Sequence, residues 1–458
     1  MIKNYFKTAW RSLSRNKSFA LINISGLAVG IAACLLIFLV VHFETSFDNF
    51  HKKKDHIYRV FTVSKTPQGL SYNSGVPMPT AEGLRLDYPN LLVASIFKTD
   101  RQITVPGNDI QAPKKFDEEN LFFAEPQVFD VFDFGWLAGD KTSALKDPNA
   151  VVLTQNEAEK YFGDWKQAIG KTIVYENKKQ LKVTGILKNV PANTDLDLNI
   201  IVSYATLKTT DFKDGLTDWG GILSYNYCFV VLPDNMPIGQ FNQDLDAFVK
   251  KHKPADRVND GMRAIPLSQM HYDSRAGIYS GHTFSRELIR VLSAIGIFLL
   301  VIASVNFINL ATAQAVNRSK EVGIRKVLGS GRRQLMFQFI SETFLVALFA
   351  VVLAVVIAEV SLPFLSQLLD IKLASGFLND SAVLIFLAIM LFGVTLLSGF
   401  YPALILSGFD PITALKNRIL ARKAKGVSLR RSLVVLQFCI AQVLLIGMLV
   451  IVRQMDYF

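Results

Sequence analysis

Five apolar stretches with few or no charges limit the folds open to this chain more than any other feature. They are Ser18–Val41, Val291–Asn317, Thr343–Ala358, Ser381–Ser407 and Ser432–Val452. A helix of roughly 20 mostly apolar residues is long enough to cross the hydrocarbon core of a membrane. Half of the 458 residues are hydrophobic, yet 19% are charged, so the chain also needs a sizeable part that contacts water.

We therefore predict a multi-pass α-helical membrane protein with a large α+β extracytoplasmic domain inserted between its first and second spans. The predicted spans are residues 18–42, 288–315, 339–362, 381–407 and 432–452. The predicted segments around them are a cytoplasmic amphipathic helix (1–17), the extracytoplasmic domain (43–287), a cytoplasmic coupling loop (316–338), a short outer loop (363–380) and a cytoplasmic linker (408–431).

The distribution of Lys and Arg predicts the orientation. Residues 1–17, 318–333 and 408–431 hold 18 of the 49 basic residues but only two acidic residues, Glu321 and Asp410. Because cytoplasmic loops collect Lys and Arg, we place the N-terminus inside, residues 43–287 outside and the end of the chain outside. The formal net charge of +11 then reflects membrane topology, and no nucleic-acid partner is predicted.

The first residues combine an apolar and a basic helical face. Helical spacing places Ile2, Tyr5, Phe6, Ala9, Trp10 and Leu13 on one face, and Lys3, Lys7, Arg11 and Arg15 on another. This pattern favours a helix that lies in the membrane interface. The alternative is that these residues form the cytoplasmic end of a long first span.

Residues 43–287 are long enough to bury a core of their own, and their length favours two subdomains. Period-two patterns predict strands at Ile57–Val63, Leu181–Leu187 and Tyr227–Leu232. Helical patterns cover Thr80–Leu86, Asn156–Phe162 and Pro237–Lys250.

No motif in the chain predicts catalysis or metal binding. The histidines show neither H-E-x-x-H nor paired Cys/His spacing, so we interpret them as ordinary surface or core residues; they are His42, His51, His56, His252, His271 and His282. Gly163-x6-Gly170-Lys171-Thr172 has two residues too many between its glycines for a phosphate-binding loop, and a strand-like run follows it. We predict that the chain is not an enzyme and binds no cofactor.

A short basic segment broken by glycines separates the second and third spans. It reads Glu321-Val322-Gly323-Ile324-Arg325-Lys326-Val327-Leu328-Gly329-Ser330-Gly331-Arg332-Arg333. A merely positive-inside loop explains its charge but not its glycines and their spacing. The pattern E-V-G-I-R-K-x-L-G-x-x-R-R, followed by Gln338, Phe339 and Glu342, resembles the cytoplasmic loop of MacB/FtsX-like ABC transporter permeases. Residues 47–60, 151–172 and 183–191 resemble the MacB-like periplasmic core domain, and residues 401–416 resemble the end of a permease unit in the same family.

The resemblance implies that this segment docks on a separate ABC ATPase dimer, which uses ATP and Mg in the cytoplasm. The residues expected to contact the ATPase are Glu321, Val322, Gly323, Ile324, Arg325, Lys326, Gly329, Arg332 and Arg333. Gly323 would let the backbone approach closely, and Gly329-Ser330 would end one helix and cap the next. The basic side chains would meet acidic groups of the ATPase or anionic lipid.

Two features inside the spans predict helix packing. Gly26-x3-Gly30 permits close helix contact, either within the chain or between two copies. Asn306 and Asn309 are placed to hydrogen-bond across helices in the second span.

The resemblance also implies a bacterial inner (cytoplasmic) membrane location. Because Arg431-Ser432-Leu433 opens a fifth span as Arg11-Ser12-Leu13 precedes the first, the chain is similar to the N-terminal part of a duplicated permease. Expected partners are a second permease half or a homodimer, membrane lipid, and an extracytoplasmic or outer-membrane protein.

Three functions remain open from the sequence. The first is a permease subunit that passes ATPase motion through the membrane (mechanotransmission) to export a hydrophobic compound, peptide or lipoprotein. The second is an FtsX-like, non-transporting regulator of a cell-wall hydrolase. The third is a membrane-anchored sensing module without an ATPase.

Overall fold

The computed structural model describes residues 2–15, 17–107, 112–257, 259–275, 277–279, 281–371, 373, 376–408 and 426–457. The chain divides into two compact units. The α+β domain comprises Glu44–Arg286, and the helical unit comprises Met1–Phe43 together with Glu287–Phe458. The division falls one residue inside each end of the predicted 43–287 segment.

Helices and strands are numbered in chain order. The α-helices are α1 (Ile2–Arg15), α2 (Lys17–Thr45), α3 (Thr80–Asp87), α4 (Val128–Val131), α5 (Gln155–Phe162), α6 (Ile238–His252), α7 (Leu267–Met270), α8 (Arg286–Val327), α9 (Arg332–Leu369), α10 (Ser381–Gly408) and α11 (Gly426–Tyr457). The strands are β1 (Ile57–Thr66), β2 (Gly69–Asn73), β3 (Leu92–Val105), β4 (Lys114–Ala124), β5 (Trp136–Gly139), β6 (Ala150–Thr154), β7 (Thr172–Tyr175), β8 (Lys179–Leu187), β9 (Ile200–Ser203), β10 (Asn226–Val231) and β11 (Asp260–Pro266).

Within the described residues, four helices are long and apolar enough to cross a membrane. They are α2, the Arg286–Gln314 part of α8, α9 and α10. The fifth predicted span lies in α11, whose described apolar stretch, Val434–Val450, is shorter. Most of the predicted 408–431 linker, residues 409–425, lies outside the described residues.

The helices run further than the predicted spans. α8 continues twelve residues beyond position 315, to Val327, and α9 begins at Arg332. Most of the predicted 316–338 coupling loop is therefore helical, because a helix can continue beyond its apolar stretch until a residue breaks its backbone hydrogen bonds. Its cytoplasmic location stays a prediction. α9 also continues through Pro363 to Leu369, so the predicted outer loop of 363–380 begins only at Asp370.

Small side chains allow the helices of the helical unit to approach each other closely. Ala347, Ala350, Ala354 and Ala358 recur every three or four residues along α9 and are fully buried. A methyl group at Gly399 of α10 would lie 3.1 Å from Cβ of Thr343 on α9. Small residues at helix contacts are typical of membrane helices, which gain little from excluding water and depend on close packing.

α1 packs on the helical unit through its apolar face. Ala9 is fully buried, and the Trp10 ring centroid lies 5.9 Å from that of Phe349 on α9. The basic side chains of Lys7, Arg11 and Arg15 are exposed. Among the described side chains of α1, the basic ones are therefore exposed and Ala9 is buried, while Trp10 contacts Phe349 and remains 57% exposed.

The α+β domain is built on one mixed sheet. Among the described residues its strands follow the order β11-β1-β10-β3-β4-β9-β6-β8-β5, with β2 on β1 and β7 on β3 and β8. The pairs β4–β9 and β6–β8 are parallel, and the other pairs are antiparallel. Helix α6 buries Phe241, Leu245, Phe248 and Val249, spaced as one face of an amphipathic helix.

The domain forms one compact unit, and the expectation of two subdomains within it stays a prediction. In the pairing of the long strands β3 and β4, Ile96 lies opposite Ala124 at one end and Val105 lies opposite Lys114 at the other. This ladder runs through the middle of the sheet and joins its two sides. The six predicted elements correspond to β1, β8, β10, α3, α5 and α6. Thr172 begins a strand after Gly170-Lys171, as predicted for the segment that resembles a phosphate-binding loop.

Candidate functional site

The predicted coupling segment is a helix–turn–helix corner made of the end of α8, four turn residues and the start of α9. The Gly329 N–H donates to the Lys326 carbonyl and the Ser330 N–H to the Arg325 carbonyl, both at 3.0 Å. This pair of bonds is the Schellman motif, which ends a helix with a residue in the left-handed region. Gly329 occupies that region with φ of 97°, so it ends α8 as the sequence indicated.

The other glycines of the corner differ from their predicted roles. Gly331, and not Ser330, is the N-cap of α9, and its N–H donates to Gln334 Oε1 at 3.1 Å. Gly323 lies inside α8 and is buried, so it does not open the backbone to a partner.

Apolar residues of the corner point in two directions. Val322 is buried in a cluster of the helical unit that also contains Leu335, Phe339, Ala403 and Leu406. Ile324, Val327 and Leu328 are 51%, 66% and 80% exposed. The corner is therefore anchored on one side and presents an apolar surface on the other.

The basic residues of the corner have partners of their own. Arg325 Nη2 lies 2.5 Å from Glu321 Oε1, one helical turn away. Arg332 Nε lies 3.5 Å from Ser407 Oγ on α10. Arg333 is exposed and Lys326 half-buried. The corner thus carries basic residues as well as exposed apolar residues.

The four predicted helix-packing residues differ in whether they contact another helix. A methyl group at Gly30 would lie 2.5 Å from Cβ of Ala303 on α8, whereas one at Gly26 would meet nothing within 4 Å. Asn306 is exposed, and Asn309 Oδ1 is buried without a hydrogen-bond partner among the described residues. Gly30 is therefore a helix-contact residue, and the described part of the chain shows no hydrogen bond from either asparagine side chain to another helix.

A small cavity lies inside the helical unit beside Glu342. Its volume is about 40 Å³, and Leu13, Phe307, Phe339 and Gly399 are among its lining residues. Glu342 is 8% exposed and its Oε1 lies 3.4 Å from Gln338 Nε2. This space is large enough for a water molecule.

The α+β domain contains a buried set of carboxylates and histidines that the sequence analysis missed; we call Glu44, Asp48, Asp195, His271 and His282 the acid–histidine cluster. Glu44 lies in the last turn of α2. Its Oε2 lies 2.6 Å from His271 Nε2, and its Oε1 lies 3.1 Å from His282 Nε2. Glu44 and Asp195 side chains are fully buried and His271 is 2% exposed.

The cluster continues from His271 to two further carboxylates. His271 Nδ1 lies 3.0 Å from Asp195 Oδ1, and the Thr194 hydroxyl donates to Asp48. Burial alone would lower the pKa of His271, but hydrogen bonds to Asp195 and Glu44 raise it to about 9. Burial, together with repulsion from Asp195, raises the pKa of Asp48 to about 7.

His51 lies next to the cluster in an apolar pocket. Its ring packs against Phe50, Phe132 and Phe134, and its Nδ1 accepts the Asp133 N–H at 3.1 Å. Burial lowers the pKa of His51 to about 4. His51 is therefore a neutral core residue, as the sequence analysis predicted for an ordinary histidine.

The acid–histidine cluster gave no sequence signal because its members are far apart along the chain. Glu44 and His271 are separated by 227 residues, and Glu44 and His282 by 238. Metal and catalytic motifs are recognised from short spacings on one element. Only the fold of the domain brings these side chains together.

Comparison with known proteins gives two family matches. The family model described as the MacB-like periplasmic core domain matches residues 20–248. The model described as the FtsX-like permease C-terminal domain matches residues 293–411.

Individual relatives are more distant. The macrolide export ATP-binding/permease protein MacB of Neisseria meningitidis is 26% identical over 305 residues, covering 65% of this chain and 43% of the relative. The pyoverdine export ATP-binding/permease protein PvdT of Pseudomonas fluorescens is 21% identical over 427 residues, covering 90% of this chain and 59% of the relative. The chain thus spans about half the length of these relatives. A solved domain of a permease protein from Porphyromonas gingivalis is 17% identical, with a TM-score of 0.40, and covers 53% of this chain and 98% of that domain.

The four long apolar helices of the described residues, with an α+β domain between the first two along the chain, indicate an integral membrane protein. Because the core-domain model alone matches half of the sequence, the chain belongs to the MacB/FtsX-like ABC transporter permease family.

Proposed function

We propose that this chain is the permease subunit of an ABC transporter complex and passes the motion of an ATPase dimer through the membrane to the α+β domain. The cargo class we infer is a hydrophobic compound, a peptide or a lipoprotein, exported from the cell. The observation that carries this proposal is the corner between α8 and α9, with three exposed apolar side chains held on a buried anchor.

The corner has the properties of a docking surface for another protein. Ile324, Val327 and Leu328 follow one another within five residues at a helix end, and apolar groups exposed together in this way are typical of interaction sites. Arg333 and Lys326 add positive charge to the same corner, which suits a groove lined by acidic groups. Val322 fixes the corner to α9 and α10, so a force applied at the corner reaches both helices.

α8 supplies a continuous connection from the corner to the end of the domain sequence. It contains 42 residues without a break, from Arg286 to Val327. At 1.5 Å per residue a helix of this length is about 60 Å long. A single stiff helix transmits a displacement at Val327 to Arg286, the residue that ends the domain.

In this proposal the complex moves its cargo outside the membrane span of this chain, by movement of the α+β domain.

Charge supports an inner-membrane location with the corner in the cytoplasm. Basic residues are concentrated on α1 and at the corner, and cytoplasmic segments collect Lys and Arg. This orientation places ATP and Mg, used by the ATPase, on the same side as the corner. The two relatives named above are export proteins by name, which favours export over hydrolase regulation or sensing. A second permease half or a second copy would complete the complex.

The test is recovery of an ABC ATPase with the full chain, extracted from native membranes in mild detergent and identified by mass spectrometry. We expect Leu328→Glu to reduce recovery at least tenfold, because a carboxylate replaces an apolar contact. Leu70→Glu is the matched control, since Leu70 is an exposed leucine of β2 in the α+β domain. Equal recovery for the wild type and Leu328→Glu, or no ATPase with the folded wild type, would overturn the proposal.

The charge reversal Arg325→Glu/Arg332→Glu is a second, less direct variant. It also removes the Glu321 ion pair and the Ser407 contact, so its effect includes changes within the corner. Arg333→Glu avoids this complication and should weaken ATPase recovery less than Leu328→Glu does, with stronger salt dependence.

A further inference from the structure

We propose that Glu44, His271 and His282 form a binding site for a divalent transition-metal ion of the zinc class in the α+β domain. The two imidazole Nε2 atoms face different oxygens of one carboxylate, at 2.6 and 3.1 Å. All three donor atoms lie within 4.8 Å of one another. Ligands at about 2.0–2.2 Å from one zinc ion lie about 3.3 Å from each other in a tetrahedral site, so Glu44 Oε2 and His271 Nε2 would have to separate by about 0.7 Å to bind one ion.

The surroundings of His271 match those of a metal ligand. While Nε2 faces Glu44, Nδ1 faces Asp195 Oδ1 at 3.0 Å. A metal ion would replace the proton that Nε2 shares with Glu44, while Asp195 would continue to accept the Nδ1 proton, and metal-bound histidines almost always have such a partner. Phe47 stacks on the His271 ring, with 3.6 Å between the ring centroids, and holds its orientation.

The charge of the cluster favours a cation. Glu44, Asp48 and Asp195 are all buried, and burying carboxylates is costly unless positive charge compensates them. Within the described part of the chain, the ion pairs of Glu44 are to the two histidines only. A divalent ion at the three ligands would neutralise Glu44 and one further carboxylate.

The ligand set selects the kind of metal. Two imidazole nitrogens suit zinc, copper, nickel or iron, whereas calcium and magnesium prefer oxygen ligands. Three protein ligands leave a fourth position for water in a tetrahedral site. His282 is 34% exposed and provides the access from solvent that the buried Glu44 and His271 lack.

A metal here would cross-link the start and the end of the domain sequence. Glu44 is the first residue of the α+β domain, and His282 lies four residues before its last, Arg286. Because the bound ion would hold both ends in the folded state only, it would stabilise the domain by mass action.

The test uses the full chain in detergent or nanodiscs, purified through a tag without histidine and treated with a chelator that is then removed. We expect one Zn²⁺ per chain by elemental analysis after equilibration, and a visible d–d absorption spectrum with Co²⁺. His282→Ala should lower Zn²⁺ affinity at least tenfold and change the Co²⁺ spectrum. Asp195→Asn should weaken affinity about 10–100-fold. His56→Ala is the matched control, because His56 is a half-exposed histidine beside Asp234.

A cysteine variant distinguishes the loss of a metal ligand from a folding defect caused by the substitution. His282→Cys should restore binding and add a thiolate-to-cobalt charge-transfer band, which only a ligand of the ion produces. If the wild type binds less than 0.1 equivalent of Zn²⁺, or if His282→Ala binds as tightly as the wild type, the site is not a metal site. A proton shared between His271 and the two carboxylates would then account for the contacts.

Discussion

Gly30 and Ala303 bring α2 and α8 into backbone-level contact: a methyl group at position 30 would lie 2.5 Å from the Cβ of Ala303. No side chain larger than hydrogen fits at that distance without moving a helix. Gly26, one turn earlier on the same helix, would meet nothing within 4 Å. Substitutions at Gly30 and Gly26 can therefore be compared as a glycine in helix contact and a glycine without one.

Gly30→Leu should destabilise the helical unit, because the larger side chain forces α2 away from α8. Overpacking of this kind costs about 1–3 kcal/mol. Scanning fluorimetry of the detergent-solubilised protein should show a Tm several degrees lower, while Gly26→Leu leaves the Tm unchanged. An equal effect of both substitutions would contradict the contact described here.

Gly329→Ala should weaken the corner between α8 and α9. Gly329 has φ of 97°, and the left-handed region costs a residue with a Cβ about 1–2 kcal/mol. Gly331→Ala is the control, because Gly331 has φ of −73°. We expect lower thermal stability and lower ATPase recovery for Gly329→Ala only. If Gly331→Ala has the larger effect, the cap of α9 matters more than the end of α8.

Lowering the pH should destabilise the α+β domain through His51. The unfolded chain binds a proton at His51 below pH 6.5, but burial lowers the pKa in the folded state to about 4. The contribution of His51 to the free energy of unfolding is therefore fully present above pH 6.5 and is lost as the pH falls from 6.5 to 4. The total loss is at most about 3 kcal/mol, and it does not grow further below pH 4. Asp48 and Asp133 are the charged groups that face His51.

The measurement is the pH dependence of thermal unfolding for the wild type and His51→Gln. The difference between the two is informative, since Asp48, with its pKa raised to about 7, acts in the opposite sense over the same range. His51→Gln should flatten the acid loss, and His56→Gln should not. A slope that is identical with and without His51 would disprove the prediction.

Arg85→Ala should destabilise the domain more than loss of a surface ion pair. Arg85 holds Glu125 with two bonds of 2.6 and 2.8 Å and also donates to the Val93 carbonyl. Glu125 is 13% exposed, so it would stay largely buried without its counter-ion. We expect a loss of about 2–3 kcal/mol, somewhat less than the 3–5 kcal/mol of a fully buried pair.

Arg263→Ala is the control for that prediction. Its pair with Asp246 is almost half exposed on both sides, and such pairs contribute up to about 1 kcal/mol. In the Arg85→Ala background, Glu125→Gln should recover part of the loss by removing the buried charge. Similar losses for Arg85→Ala and Arg263→Ala in chemical denaturation would refute the buried-pair argument.

The sequence by itself determined the local features of this protein. Uncharged apolar stretches identified the four long helices, and period-two and helical patterns placed β1, β8, β10, α3, α5 and α6. Gly329 predicted the end of α8, because a glycine directly after the last helical turn is typical of a helix end. All of these signals lie within a few neighbouring residues.

The tertiary structure decided what depends on residues far apart along the chain. It continued α8 to Val327, buried Val322 against α10 while exposing Leu328, and joined the strands of the domain into one sheet. It also brought Glu44 to His271 across 227 residues. Side-chain periodicity fixes which face of a helix or strand is apolar, but not which distant segment covers that face, so the anchor of the corner and the acid–histidine cluster exist only in the folded chain.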